Sequence, residues 1–288
     1  MSVLLHRDTR VVVQGITGHQ GSFHAQQMIA YGTRVVAGVS PSKAGTTHLS
    51  VPVYASVREA VERDGAEAAI VFVPAAMARD AAFEAVAAGV RLLVMIPEHL
   101  PVLDTMAIHT FCRLRGVTLV GPNTFGLITP GESKLGIMPS HIYRPGPVGI
   151  IARSGTLSYE IAASLSDAGL GQSSVVGMGG DPVVGQTFTD LLPLMEADPQ
   201  TEAVVLVGEI GGSAEERAAE LVRTMTKPVV AYLAGKSAPE GKRMGHAGAI
   251  IERGRGTLES KRAALEAAGA RVCEMPWEIS AAVRSALG

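Results

Sequence analysis

Arg10-Val11-Val12-Val13-Gln14-Gly15-Ile16-Thr17-Gly18-His19-Gln20-Gly21 decides the architecture: a β-branched run passes straight into glycines spaced three apart, and a helix-like stretch over Ser22–Tyr31 follows. A strand that turns through such a loop into a helix lets the backbone approach a phosphate, and the helix N-terminus supplies unpaired N–H donors and a positive dipole. The spacing is G-x-x-G-x-x-G rather than the dinucleotide G-x-G-x-x-G, so the strand-loop-helix context carries more weight than the pattern. His19 reads as a polar residue tuning this loop, without catalytic duty.

The same alternation runs through the chain, which predicts α/β architecture with helices covering parallel sheets. Further strands are expected at Arg34–Val39, Ala68–Val73, Arg91–Ile96 and Val117–Gly121, with helices near Ser56–Arg63, Ala76–Ala88 and Val102–Arg115. Ser56 with Glu59, and later Ser213 with Glu216, read as capping boxes. Pro122, Gly126, Pro130, Gly131, Gly136, Pro139, Pro145, Gly146 and Pro147 then crowd a stretch that regular elements do not absorb. The alternation resumes with strands Val148–Ala152, Ser173–Gly177, Ala203–Gly208, Val229–Leu233 and Arg271–Glu274, interleaved with helices near Leu157–Ala168, Thr187–Ala197, Ala214–Met225 and Thr257–Ala268, and a last helix at Pro276–Leu287. The expected division is a first domain at 1–122, a linker and substrate loop at 123–147, and a second domain at 148–288.

Composition narrows the function classes. At 288 residues the chain can bury two sizeable cores, and a net charge of −2 without blocks of like charge speaks against nucleic-acid or membrane-surface binding. Cys112 and Cys273 lack metal-ligand spacing and read as reduced thiols of a cytosolic protein. No apolar run approaches the ~18 residues of a membrane span.

Several residues carry candidate chemistry. After the second strand, where a nicotinamide enzyme places an acid, the chain has Ser40-Pro41-Ser42-Lys43. Lys43 suits a phosphorylated ribose, of NADP or coenzyme A, although spacing alone favours a solvated loop charge. In the second half three strand ends are glycine-rich: Arg153-Ser154-Gly155-Thr156, Gly177-Met178-Gly179-Gly180-Asp181-Pro182 and Gly208-Glu209-Ile210-Gly211-Gly212-Ser213. Ser154, Gly155 and Thr156 lead into a helix and could bind a phosphoryl group there. Glu209 is an isolated acid at an apolar strand end, which would orient an imidazole or complement the dipole of the Ser213 helix. Beyond a basic loop, Gly245-His246-Ala247-Gly248 sets a histidine among small residues, the surroundings of a phosphorylated histidine or of an incidental loop histidine.

Gln14-Gly-Ile-Thr-Gly18, Thr46-Thr-His-Leu49, Gly179-Gly-Asp-Pro182, Gly208-Glu-Ile-Gly-Gly-Ser213 and Gly241-Lys-Arg-Met-Gly-His-Ala-Gly-Ala-Ile250 together resemble the α subunit of succinyl-CoA synthetase, the nucleoside-diphosphate-forming succinate–CoA ligase, over essentially the whole chain. The resemblance implies an N-terminal CoA-binding Rossmann-like domain plus a C-terminal flavodoxin-like ligase domain. It also implies an ATP-grasp β subunit that binds ATP or GTP with Mg²⁺, in an αβ or α2β2 assembly, in the bacterial cytoplasm. It makes His246 the phosphorylated residue and Glu209 the carboxylate that orients it. Thr17, Gly18, His19, Gln20, Lys43, Ile96, Pro97 and Glu98 become CoA-binding segments; Ser154, Gly155 and Thr156 a phosphate-binding helix start; and Tyr159, Asn123, Thr124 and Phe125 the substrate site. The implied reaction passes through an acyl phosphate and phospho-His246, with CoA thiolysis giving the acyl-CoA.

The chain departs from the family at three places: Pro41-Ser-Lys-Ala-Gly45, Pro97-Glu-His-Leu-Pro101 and Gly121-Pro-Asn-Thr-Phe-Gly126, where Cys-Pro is usual in place of Thr124-Phe125. Thr124 would add a hydroxyl and Phe125 an aromatic wall beside the acyl group. That leaves malate or another dicarboxylate as an alternative to succinate. A non-catalytic CoA-binding regulatory protein is the alternative of another class.

Overall fold

The computed structural model describes residues 3–238, 244–251 and 256–288. Its first half contains β1 (Val11–Gln14), α1 (His19–Tyr31), β2 (Val35–Val39), β3 (Thr47–His48), β4 (Val51–Tyr54), α2 (Val57–Asp64), β5 (Ala68–Val71), α3 (Ala75–Ala88), β6 (Leu92–Met95), α4 (Val102–Arg115) and β7 (Thr118–Val120). Val11–Gln14, Ala68–Val71 and Leu92–Met95 are buried along their whole length, as strands covered on both faces must be. The sheet order is β3-β4-β2-β1-β5-β6-β7, parallel apart from the β3–β4 pair. Its parallel strands follow the Rossmann order 3-2-1-4-5-6, whose ligand crevice opens at the carboxyl ends beside β1.

The second half contains β8 (Gly126–Thr129), β9 (Ser133–Gly136), β10 (Pro145–Ala152), α5 (Gly155–Asp167), β11 (Gln172–Gly177), α6 (Phe188–Ala197), β12 (Ala203–Glu209), α7 (Ala214–Val222), β13 (Val229–Ala234), α8 (Leu258–Ala267), β14 (Arg271–Cys273) and α9 (Ile279–Leu287). The order is β14-β13-β12-β10-β11-β8-β9. Its parallel strands read 2-1-3-4-5 from the β11 side, the flavodoxin-like arrangement, with the switch point between β10 and β12.

Two sequence expectations need revision. The 123–147 segment, expected as a linker with loops, contains the β8–β9 hairpin, which pairs antiparallel with β11 through Val175–Ile128 and Val176–Leu127. Its Pro130 and Gly131 form the turn, closed by the Glu132 N–H donating to the Thr129 carbonyl at 3.0 Å. The hairpin also meets the first half: the Thr33 hydroxyl donates to the Lys134 carbonyl and accepts from the Lys134 N–H at 3.0 Å, and the Thr129 hydroxyl donates to the Leu5 carbonyl at 2.8 Å. A single apolar cluster accordingly runs from Val11 and Met28 through Leu127 and Leu135 to Ile151 and Leu206.

Ser213 does not form the expected capping box. Its hydroxyl accepts from Arg217 at 2.7 Å, while the Glu216 carboxylate accepts from Ser260 at 3.1 Å and pairs with Lys261. Ser56, by contrast, caps α2 by accepting the Glu59 N–H at 3.3 Å.

Candidate functional site

In the first sheet the loop after β1 is built for close backbone approach. Gly15 adopts a positive φ of 82°, and Gly21 packs so tightly that a Cβ there would lie 2.1 Å from the Gly15 carbonyl oxygen. Helix α1 starts without a side-chain cap: the first bond closing its turn runs from Ser22 N–H to Gly18 O at 2.8 Å, which leaves the N–H groups of His19, Gln20 and Gly21 ahead of the helical ladder. Gly18, His19 and Gln20 are exposed there, in a cradle that fits a diphosphate. Thr17 and Ser40 share a hydroxyl hydrogen bond of 2.8 Å, tying this loop to the end of β2, and Lys43 stands exposed in the 3-10 turn Pro41–Lys43 that follows. Ser22 bonds the His48 ring at 2.8 Å, a link across the same rim that the sequence reading did not assign.

Ile96, Pro97 and Glu98 leave the end of β6 along that rim, Ile96 and Pro97 half-buried and Glu98 exposed. The Pro97 carbonyl accepts the Asn123 N–H at 3.0 Å, while the Asn123 carbonyl accepts the Gly180 N–H at 3.2 Å. Asn123 Nδ2 donates to Asp181 Oδ1 at 3.0 Å. Asn123 has a φ of 54°, a left-handed conformation that asparagine tolerates better than most side chains. This residue therefore stitches the carboxyl rims of the two sheets together.

At the second rim, β10 ends at Ala152 and Ser154 sits at the N-cap of α5, its hydroxyl accepting from Leu157 N–H at 3.5 Å. Gly155 and Thr156 form the open first turn. Glu209, the last residue of β12, places Oε2 2.7 Å from His246 Nδ1 and Oε1 3.2 Å from Arg153 Nε. Glu209 thus faces the histidine, and α7 has its own acids, Glu215 and Glu216, at its N-terminal turn. The side chains are 27% exposed for His246, 7% for Glu209 and 9% for Arg153, so the carboxylate is screened from water and the ring remains reachable. The Arg153–Glu209 contact is an ion pair whose Nε–H and Oε1 are not aligned as a hydrogen bond.

This geometry sets the chemistry of the imidazole. A carboxylate accepts only, so the Nδ1 proton points at Glu209 and Nε2 carries the free lone pair. The Glu209 hydrogen bond raises the His246 pKa above its ordinary value; burial opposes it, the Glu209 charge adds to it, the Arg153 charge opposes it and Asp181 adds to it. Gly180 lies flat against the ring: a Cβ there would be 2.4 Å from His246 Cγ and Cδ2. The Gly248 N–H donates to the Gly180 carbonyl at 3.3 Å, anchoring the chain just beyond the histidine. Lys242 and Arg243, read as part of the basic loop, lie outside the described residues.

The substrate residues divide. Thr124 is buried, with its only hydroxyl proton donated to the Gly177 carbonyl at 2.6 Å and its oxygen accepting from Gly126 N–H at 2.9 Å. It cannot donate to a bound acid, which corrects the expectation that its hydroxyl faces one. Phe125 is also buried and meets Tyr159 edge-on, with ring centroids 5.6 Å apart, so it is not the exposed aromatic wall expected. The Tyr159 hydroxyl comes near the α5 start, 3.4 Å from where a Gly155 Cβ would be, and burial pushes its pKa up to about 12, so it stays a neutral donor. Of the four, Asn123 bonds Asp181 and Tyr159 reaches the α5 start. Arg153 and Asp181 are parts of it that sequence reasoning quoted but gave no role; their partners lie dozens of residues away, and no local pattern marks them. Arg153, Asp181 and Gly248 all border an open crevice of about 1360 Å³.

Comparison with known proteins places the fold and its parts. The CoA binding domain family matches residues 6–99 and the CoA-ligase family matches residues 151–271. The chain is 58% identical over 286 residues to the α subunit of succinate–CoA ligase [ADP-forming] from Methanothermobacter thermautotrophicus, covering 99% of this chain and 97% of that one. It is 52% identical to the corresponding subunit of Aquifex aeolicus, covering 100% of this chain and 95% of the relative. Relatives are archaeal as well as bacterial, so the expected bacterial origin does not follow. ATP citrate lyase from Methanothrix soehngenii, in complex with citrate and coenzyme A, superimposes with a TM-score of 0.90 at 25% identity over 99% of this chain, which spans 50% of the lyase's length. Among the described residues no helix is long and apolar enough to cross a membrane. Two sheets in these two orders, linked rim to rim through Asn123, with a histidine–carboxylate pair at the second and matched end to end by such relatives, lead to one conclusion: the chain belongs to the succinate–CoA ligase α-subunit family.

Proposed function

We propose that the chain, with a β subunit of ATP-grasp type, converts succinate, coenzyme A and ATP to succinyl-CoA, ADP and phosphate by way of phospho-His246. The observation that carries this reading is the 2.7 Å contact between Glu209 and His246 Nδ1, which directs the Nε2 lone pair outward as nucleophile. Nε2 takes the γ-phosphoryl group from the nucleotide and hands it to a succinate oxygen; the CoA sulfur then attacks the acyl carbonyl and phosphate leaves. The helix start at Ser154, Gly155 and Thr156 would hold the phosphoryl group by its N–H donors and dipole, with Arg153 supplying positive charge nearby. Coenzyme A would lie along the first rim, its diphosphate at the α1 N-terminus, its ribose phosphate near Lys43 and its thiol end toward Pro97 and Asn123. ATP is preferred to GTP because the relatives are named ADP-forming. Mg²⁺ and nucleotide are assigned to the β subunit, and the assembly to αβ or α2β2. The domain limits 1–122, 123–147 and 148–288 follow the two halves, with the β8–β9 hairpin allotted to the second.

The inward-facing Thr124 hydroxyl and the buried Phe125 remove the reason for preferring malate, and the intact His246–Glu209 contact speaks against a non-catalytic sensor. The test is incubation with the β partner, Mg²⁺ and γ-labelled ATP. Acid-labile, base-stable label is expected on His246 and absent from His246→Ala; equal labelling of the variant would refute the assignment.

A further inference from the structure

We propose that the buried Glu215–Lys261 pair is a positioning device for Glu209, fixing the main chain beneath the carboxylate that orients His246; the proposal rests on the reading of that histidine as the phosphoryl carrier. Glu215 lies in the first turn of α7 and Lys261 in α8, and both side chains are 0% exposed. Lys261 Nζ donates to Glu215 Oε2 and lies 3.4 Å from Glu216 Oε2. The other Glu215 oxygen, Oε1, accepts the Glu209 N–H at 3.2 Å. A continuous polar path therefore runs from Lys261 through Glu215 to the Glu209 main chain, and from the Glu209 carboxylate to His246.

Strand geometry explains why this acceptor matters. β10 pairs with β12 only as far as Ala152 and Val207, because the chain then turns through Arg153 and Ser154 into α5. The Glu209 N–H lies beyond that ladder and is buried, where an unmet donor is costly. Glu215 fills the place of the missing strand partner. Gly208 permits it: a Cβ at 208 would lie 2.7 Å from Glu215 Oε1 and 2.8 Å from its Cγ. A buried ion pair is a poor way merely to join two helices, since well-packed apolar side chains of similar volume commonly do as well or better. What apolar residues cannot supply is a fixed oxygen for the Glu209 N–H, and Lys261 pins the carboxylate so that Oε1 faces the strand.

The test compares two double substitutions in the full chain. Glu215→Leu with Lys261→Met keeps apolar packing and removes the oxygen; Glu215→Gln with Lys261→Met also removes both charges but keeps a carbonyl oxygen. The readouts are the His246 titration, by NMR of ring-labelled histidine assigned through His246→Asn, and the phosphorylation rate with β partner, Mg²⁺ and ATP. Besides Glu209, the groups acting on that titration are Arg153 and Asp181, which neither variant touches. The Leu/Met chain should titrate closer to the ordinary 6.5 than the parent. Its phosphorylation should slow by roughly ten-fold or more, with the Gln/Met chain recovering to within about three-fold of the parent. A Leu/Met chain with parent-like titration and rate, or a Gln/Met chain no better than Leu/Met, overturns the proposal. Should a double variant not fold, Gly208→Ala serves instead: it displaces the Glu215 carboxylate with the pair intact, and an unchanged His246 titration there also overturns it. A parent whose His246 titrates high yet takes no phosphate removes the functional reading and leaves the positioning standing.

Discussion

Lys43 and Thr124 show how differently two residues expected at the site act once placed. Lys43 is exposed in the turn after β2, whose Ser40 hydrogen-bonds Thr17 in the loop ahead of α1, and there it can meet a phosphate without giving up its solvent. Lys43→Glu should weaken CoA binding by roughly ten-fold at low ionic strength and dephospho-CoA binding far less, as titration calorimetry with both ligands would read. Equal losses would place the lysine away from the ribose phosphate. Thr124 instead satisfies two backbone groups, the Gly177 carbonyl and the Gly126 N–H. Thr124→Val, equal in shape, leaves both unmet and should lower unfolding free energy by about 2 kcal/mol, with the succinate-to-malate ratio of kcat/KM unchanged. A changed ratio at constant stability would return the hydroxyl to the substrate.

Elements were legible in the sequence where local chemistry decides them. The apolar runs of β1, β5, β6, β10 and β12 marked both sheets, and Ser56 marked the start of α2. The glycines after β1 marked a loop of close backbone approach, and the tightest of them yields a test. Gly21→Ala places its methyl against the Gly15 backbone, which cannot step aside without displacing the α1 start. A loss of about 1–3 kcal/mol in stability is expected, with CoA affinity falling further than stability alone accounts for. Thermal denaturation with and without CoA separates the two, and unaltered affinity would show that the loop is no ligand cradle. Illegible elements share a cause in long-range pairing. β4 contains Pro52, which reads as a breaker yet sits at a sheet margin covered only by two-residue β3. The β8–β9 hairpin is built from the very Pro130 and Gly131 that read as punctuation, and only its partner β11 makes it a sheet. The Ser213 box failed because Glu216 turns to Ser260 and Lys261, 44 positions or more away. His246 and Glu209 stood out by their glycine surroundings, whereas Arg153 and Asp181 acquire meaning only beside them.

Across the whole molecule, the seam between the halves carries a buried cation. Lys134 is 2% exposed and donates to the Met138 carbonyl at 2.9 Å and the Ser140 hydroxyl at 3.1 Å. Burial lowers its pKa from 10.5 to about 8 and, behind the larger effect of burial on His24 itself, its charge helps lower that ring's pKa. Between those two values the unfolded chain holds a proton that the folded chain has released, so stability rises with pH. Relative to Lys134→Met, the parent should gain on the order of 2 kcal/mol from pH 8 to pH 10.5, read by urea denaturation at each pH. A flat difference would mean that the amine stays charged when folded. The hairpin that carries this lysine has another consequence, in the order of synthesis. Thr33 and Leu5 wait for Lys134 and Thr129 as partners, and Met28 for Leu135 and Leu127 as neighbours in one apolar cluster. A nascent chain that has left the ribosome only through β7 therefore still shows a bare apolar flank, and its first half reaches its native covering only when residues of the second have emerged.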